Sequence, residues 1–169
     1  QDTDTARHFQ VLGEQLMRCG NTSILEAGTA DTGQGRQPFV VSKHDEHAPV
    51  LDYAGQCGLS VDDRIVLLEQ ICSKVMSLHQ SGIIHGDLRP ATVVVGSDGQ
   101  ADLLDPGIAR VLNLDHSLAG GGPDAPTTDW KAPEHTLGVH TTLGDVHALG
   151  RLGAVLLEDV ENPALRSIC

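Results

Sequence analysis

The run over residues 60–82 constrains the fold more tightly than any other stretch of the chain. Ser60 stands where a helix N-cap is expected, and Asp63 three residues on completes a capping-box pattern. From Val61 onward, Ile65, Leu68, Ile71, Cys72, Val75 and Leu78 recur at helical spacing. Ser81-Gly82 closes the run, Gly being a normal C-terminal stop. Next comes Ile84-His85-Gly86-Asp87-Leu88-Arg89-Pro90-Ala91-Thr92, with His, Asp and Arg crowded into five residues. Titratable groups this dense, in a loop between rigid elements, are where chemistry is usually carried. Residues 93–95 and 101–104 then read as two short strands around Asp98-Gly99, which predicts a hairpin.

The remaining elements are predicted around this centre. Residues 6–18 carry Phe9, Val11, Leu12, Leu16 and Met17 near helical spacing, with Gly13 as a weak point. Ile24-Leu25 starts a strand that breaks in the Gly-rich, polar span 29–37, and residues 38–42 form its partner across a long loop. Residues 48–58 read as a short helix or turn. Residues 113–129, rich in Gly, Pro and Asp, carry no period and predict a loop. Residues 143–158 form a second good helix, apolar at Val146, Leu149, Leu152, Val155 and Leu156.

Composition closes off several function classes. The aromatic residues are Phe9, Phe39, Tyr53 and Trp130, too few for stacking on nucleic-acid bases. A formal net charge of -12 repels phosphate backbones, so no nucleic-acid or anionic-membrane partner is expected. No apolar run reaches the length of a membrane span. The four cysteines, Cys19, Cys57, Cys72 and Cys169, form no CxxC pair, so free thiols in a reducing cytosol are expected. His44 and His47 lie three apart, a metal-ligand spacing, but a solvated polar loop is the expected reading there. Both ends of the chain read as cut rather than capped, the pattern of a fragment or of processing at the start.

Asp87 and Asp105 flank the predicted hairpin, and a hairpin brings its two ends together. Two carboxylates at converging loop ends suit a metal–phosphate site, one holding the cation and one near a nucleophile's proton. They also suit plain turn positions, since Asp is common beside Gly and Pro.

The order of the motifs adds a resemblance. His85-Gly86-Asp87-Leu88-Arg89-Pro90 resembles the catalytic loop of protein kinases, HRDLKPxN. Leu104-Asp105-Pro106-Gly107 resembles the DFG motif, continued by Ile108-Ala109-Arg110. Ala132-Pro133-Glu134 is an APE motif, and Asp145-Val146-His147-Ala148-Leu149-Gly150 resembles the DVxxLG start of the helix beneath the catalytic loop. With His79-Gln80-Ser81-Gly82 upstream, the chain is similar to bacterial serine/threonine kinases over nearly its whole length.

The resemblance implies an α+β, protein kinase-like fold with a mostly helical C-lobe and an incomplete N-lobe of two strands and one helix. It implies an N-lobe remnant over 1–43, a hinge over 44–48, and a C-lobe over 49–169 that is incomplete at its C-terminal end. Asp87 matches the Asp that accepts or orients the substrate hydroxyl proton, and Arg89 matches the lysine that steadies the transferring phosphoryl group. Thr127 matches the Thr placed against the catalytic Asp. Asp105 matches the magnesium-holding Asp, and Thr92 stands where the second ligand, Asn, is expected. His85, Glu134 and Asp145 match structural positions, Glu134 pairing in the family with an Arg further along. ATP and Mg2+ are the implied cofactors, a protein substrate or a regulatory protein the implied partner, and the cytoplasm the implied location.

Besides Arg89 in place of Lys, the chain departs from the pattern at three more positions. Thr92 lacks the amide carbonyl of Asn, Pro106 replaces the DFG Phe, and Gly86 replaces the HRD Arg that pairs with a phosphate on the activation loop. No GxGxxG loop or VAIK-type lysine precedes the first helix, and Glu14 alone could serve as the helix Glu. A weak or inactive serine/threonine kinase domain is the reading these features support. A pseudokinase acting as a binding module is the alternative. An aminoglycoside-type phosphotransferase suits His85-Gly86-Asp87, but not the APE motif or Gly107-Ile108-Ala109.

Overall fold

In the computed structural model the described residues are 2–18, 24–33, 35–43, 46–108, 130–134 and 139–158. Among them are helices α1 (Asp2–Arg18), α2 (Val50–Gln56), α3 (Val61–Gln80) and α4 (Thr142–Leu156). The strands are β1 (Ile24–Thr32), β2 (Gly35–Ser42), β3 (His47–Pro49), β4 (Val93–Gly96) and β5 (Ala101–Leu103). The class is α+β, with an antiparallel pair β1-β2 and a three-stranded antiparallel sheet β3-β4-β5.

Helix α3 starts as its sequence predicts. Ser60 Oγ accepts from the Asp63 N–H at 3.2 Å, and the Asp63 carboxylate accepts from the Ser60 N–H at 3.2 Å. Such a cap is worth about 1 kcal/mol. The helix ends in a Schellman arrangement, with Gly82 N–H on His79 O and Ile83 N–H on Leu78 O, at a Gly82 φ of 75°.

The buried stripe of α3 is Leu67, Ile71, Val75 and Leu78. The spacing predicted a stripe with Ile65, Leu68 and Cys72 in it. Cys72 instead lies exposed, and Leu67 takes the core position. With two apolar faces available, packing against β5 and α4 selects one of them. Each of these buried side chains contributes roughly 1.5–3 kcal/mol relative to exposure.

The hairpin β4-β5 is held from below by α3. Gln70 Oε1 accepts from the Ala101 N–H at 2.9 Å, and Lys74 Nζ pairs with Asp102 Oδ1 at 3.2 Å. Asp98 Oδ1 accepts from the Gln100 N–H and shapes the turn. Val93, Val94 and Val95 are all buried, so β4 is covered on both faces. Its second neighbour, β3, overlaps the start of the span read as helix or turn. His47↔Gly96, Ala48↔Val95 and Pro49↔Val94 are paired. A three-residue strand ending in Pro carries no period of its own, and the pairing with β4 creates it.

The β1-β2 hairpin corrects another expectation. The polar span 29–37 does not break the strands: pairing runs on to Thr32↔Gly35, and Thr32 Oγ1 donates to Gly35 O at 2.7 Å. Ala30, Asp31, Thr32 and Gln37 are exposed, and polar side chains cost a solvated strand little.

Helix α1 lays Phe9, Leu12 and Leu16 into the core, while Val11 and Met17 stay exposed. Leu12 reaches the turn after β5: a Cβ built on Gly107 would lie 2.9 Å from Leu12 Cδ1. Helix α4 buries Asp145, Ala148, Leu152 and Leu156, and leaves Val146 54% exposed against expectation. Its inward stripe therefore begins on a carboxylate. Arg64 of α3 donates to Leu156 O at 2.9 Å, and Gly153 lets Leu68 pack close to α4. Among the described residues no helix is long and apolar enough to cross a membrane.

Candidate functional site

The site is built around a carboxylate in the protein interior. Asp145, 1% exposed, sits in the first turn of α4. Its Oδ2 accepts from the His85 N–H at 2.8 Å, and its Oδ1 accepts from the Gly86 N–H at 2.9 Å. His79 Nε2, from the last turn of α3, lies 2.8 Å from Oδ2. One side chain thereby ties the end of α3, the start of α4 and the 85–87 loop. Buried charge is tolerable only with such full hydrogen bonding.

Gly86 takes a φ of 77°, and a Cβ there would lie 3.1 Å from His140 Nδ1. Both features disfavour a side chain. Gly86→Ala is expected to cost roughly 1–2 kcal/mol from the left-handed backbone alone, with a further loss from the contact with His140. Adding His140→Ala should recover only the contact part. Urea denaturation of the two single variants and the double variant measures the split.

His85 is fully buried. Its Nδ1 faces the Asp87 N–H at 3.3 Å, so the proton of the neutral ring sits on Nε2. Nε2 has no hydrogen-bond partner among the described residues. Burial lowers the His85 pKa from 6.5 to about 4, against the opposing pull of Asp145 and Asp87. The ring is neutral at neutral pH and acts as a wedge.

Beyond this wedge the Asp87 carboxylate, 12% exposed, pairs with Arg89 Nε at 3.1 Å. Thr92 closes the loop. Its Oγ1 lies 2.7 Å from Asp87 O and 3.1 Å from Arg89 O, and accepts from the Arg89 N–H at 3.1 Å.

Two backbone hydrogen bonds join this loop to the turn holding Asp105. Leu104 N–H donates to Thr92 O at 2.8 Å, and Gly107 N–H donates to His85 O at 2.9 Å. The hairpin does bring its ends together. Asp105 itself is exposed, with a φ of 52° that few non-Gly residues adopt. Pro106 is fully buried beside it. Strain of this kind is maintained by surrounding structure and clusters at functional sites.

The other expected positions fall as follows. The Glu134 carboxylate accepts from Thr141 Oγ1 at 3.3 Å, and that same hydroxyl oxygen caps α4 by accepting from the Gly144 N–H. Glu14 accepts from Gln10 Nε2 at 3.2 Å on α1. Thr127, Ala109, Arg110, His44, Cys19 and Cys169 lie outside the described residues. Cys57 and Cys72 are free and exposed. No group of three or more His, Cys, Asp or Glu that could hold a metal occurs among the described residues.

Sequence reasoning gave no role to His79 or His140. Each contacts a residue that is distant in the chain, and although His79 belongs to the His79–Gly82 pattern, nothing local points to its contact with Asp145.

A family model described as protein tyrosine and serine/threonine kinase matches residues 7–164. The chain is similar to the serine/threonine-protein kinase PknB of Mycobacterium leprae (strain TN), 26% identical over 130 residues, 76% of this chain and 21% of that protein. It is 30% identical over 126 residues to the probable serine/threonine-protein kinase PknB of Lactococcus lactis subsp. lactis (strain IL1403), covering 73% and 20%. It is 27% identical over 137 residues to the serine/threonine-protein kinase PknA of Mycobacterium tuberculosis (strain ATCC 25177 / H37Ra), covering 79% and 32%. The chain thus spans between 20% and 32% of the length of these relatives.

Proposed function

The chain belongs to the protein tyrosine and serine/threonine kinase family, as a bacterial-type serine/threonine kinase domain, and from that premise we propose a slow transfer of the ATP γ-phosphate to a protein hydroxyl. The observation that carries this reading is the Asp145 clamp on the His85 and Gly86 N–H groups, which holds Asp87 at the mouth of the loop. Phosphoryl transfer asks little covalent chemistry of a protein and much positioning.

In this reading Asp87 orients the incoming hydroxyl and takes its proton. Arg89 stands beside it as a fixed positive charge for the phosphoryl oxygens, and Thr127 is the residue that would correspond to the family's Thr next to that Asp. Asp105 fits a cation: its carboxylate is exposed, on a turn hydrogen-bonded to the Asp87 loop. Magnesium held there with ATP would supply charge neutralisation on the phosphates. Residues 1–43 would serve as the small-lobe remnant, 44–48 as the hinge and 49–169 as the large lobe. A cytoplasmic location, with ATP and reducing conditions for the free thiols, goes with this assignment.

Slow transfer follows from two features. Pro106 stands in place of Phe. Asp87 is already paired with Arg89 at 3.1 Å, and the pair must rearrange to admit a hydroxyl. That pairing also favours the second reading, a pseudokinase serving as a regulatory binding module.

Labelling with γ-labelled ATP and magnesium under single-turnover conditions separates the two. Weak labelling that is lost on Asp87→Ala and on Asp105→Ala is the expected result. Absent labelling with a nucleotide-dependent rise in melting temperature would establish the pseudokinase. No shift at millimolar nucleotide would count against any ATP-dependent role.

A further inference from the structure

We propose that Thr92 is a positioning residue that sets the spacing between Asp87 and Asp105, and that its hydroxyl takes no part in holding the cation. The proposal rests on the phosphoryl-transfer reading for the roles of the two acids. It departs from the expectation, drawn from the position of Thr92 in the loop, that it ligates magnesium.

A hydroxyl has one proton and two lone pairs. The shortest contact of Thr92 Oγ1, 2.7 Å to Asp87 O, takes the proton. One lone pair accepts the Arg89 N–H at 3.1 Å. The Thr92 N–H donates to Arg89 O at 2.9 Å. These bonds close the 87–92 turn and fix the backbone of both Asp87 and Arg89.

The other end of the residue faces the hairpin. Thr92 O accepts from the Leu104 N–H at 2.8 Å, one residue before Asp105. A single residue therefore touches the backbone of one acid and the backbone next to the other. Any shift of Thr92 moves Asp87 relative to Asp105.

The same geometry makes a poor ligand. Thr92 is only 7% exposed. Magnesium demands near-octahedral oxygen ligands at about 2.0–2.1 Å and gives up its waters reluctantly. A cation on this neutral oxygen would sit beside the N–H that Arg89 already aims at it. Asp105, exposed and carrying a charge, has neither obstacle.

The test compares Thr92→Val, Thr92→Ser and Asp105→Asn with the unmodified 169-residue chain. Two quantities are read: hydrogen exchange at the Arg89 amide, and the Mg2+ concentration that half-saturates the ATP-induced rise in melting temperature. Thr92→Val, close in shape but without the hydroxyl, should speed Arg89 exchange at least about tenfold. Thr92→Ser should restore it to within about twofold. The half-saturating Mg2+ should stay within about twofold for Thr92→Val and rise at least about tenfold for Asp105→Asn.

A tenfold rise in half-saturating Mg2+ for Thr92→Val, with Arg89 exchange unchanged, would make Thr92 a ligand and overturn the proposal. An unmodified chain with no Mg2+-dependent shift would sink the phosphoryl-transfer reading instead. The exchange comparison between the Val and Ser variants would then still uphold or overturn the lock.

Discussion

Asp145→Ala is expected to lower the unfolding free energy by about 3–5 kcal/mol, a large share of what a domain of this size has. The truncation leaves the His85 and Gly86 N–H groups buried without acceptors, and His79 Nε2 loses its partner as well. Each unsatisfied buried donor costs about 1–3 kcal/mol. Asp145→Asn should cost less, because one carbonyl oxygen remains to accept while the NH2 group faces a donor. His79→Ala should be milder still, since His79 is 18% exposed and water can replace it. Urea denaturation monitored by circular dichroism ranks the three. A loss below about 1 kcal/mol for Asp145→Ala would mean that water reaches the clamp. The variant should also free the 85–87 loop, so any phosphate transfer should fall with it.

Acid should destabilise the protein through His85 well before its carboxylates protonate fully. In the unfolded chain the ring titrates near 6.5, and in the folded protein burial holds it at about 4. Between those values the unfolded state binds a proton that the folded state does not. Stability therefore rises with pH across this window, is intact above about 6.5, and falls as pH drops toward 4. The shift corresponds to roughly 3 kcal/mol lost by pH 4, taking about 1.4 kcal/mol per pH unit. Denaturation midpoints of the unmodified chain and His85→Phe over pH 4–7 would isolate this term. The variant's pH slope should be flatter by that amount, whatever its absolute stability. Equal slopes would place the His85 ring in contact with water.

Helix α3, the β4-β5 hairpin and the order of the motifs were all legible in the chain. Each rests on neighbours within a few residues: Ser60 with Asp63, Asp98 with Gln100, Gly82 with His79, and Ile83 with Leu78. Local hydrogen bonds and side-chain periods carry that information. The reading went wrong where two local answers cost nearly the same. In α3, a stripe through Cys72 and one through Leu67 are both apolar. In α4, Val146 was placed inward because it is apolar, yet the inward residue beside it is Asp145. The polar span 29–37 was read as a break because exposed strand residues look like loop residues.

The candidate site divides in the same way. Asp87, Arg89, Asp105 and Glu134 were legible as residue types in a recognisable order. Their neighbours were not: His79 on Asp145 is a contact across 66 residues of chain, and His140 against Gly86 is likewise remote.

By itself, the sequence determined that a capped helix leads into a loop bearing Asp87 and Arg89, and that a hairpin returns the chain to Asp105. Tertiary structure alone decided that Asp145 is buried as the loop's acceptor, that Gly86 packs against His140, and that Thr92 bonds the backbone of Asp87 and of Leu104. The physical reason is the range of the forces. Caps and turns are satisfied by bonds spanning two to five residues. A buried carboxylate has a tolerable energy only when donors from distant elements converge on it, and that convergence exists only once the chain has packed.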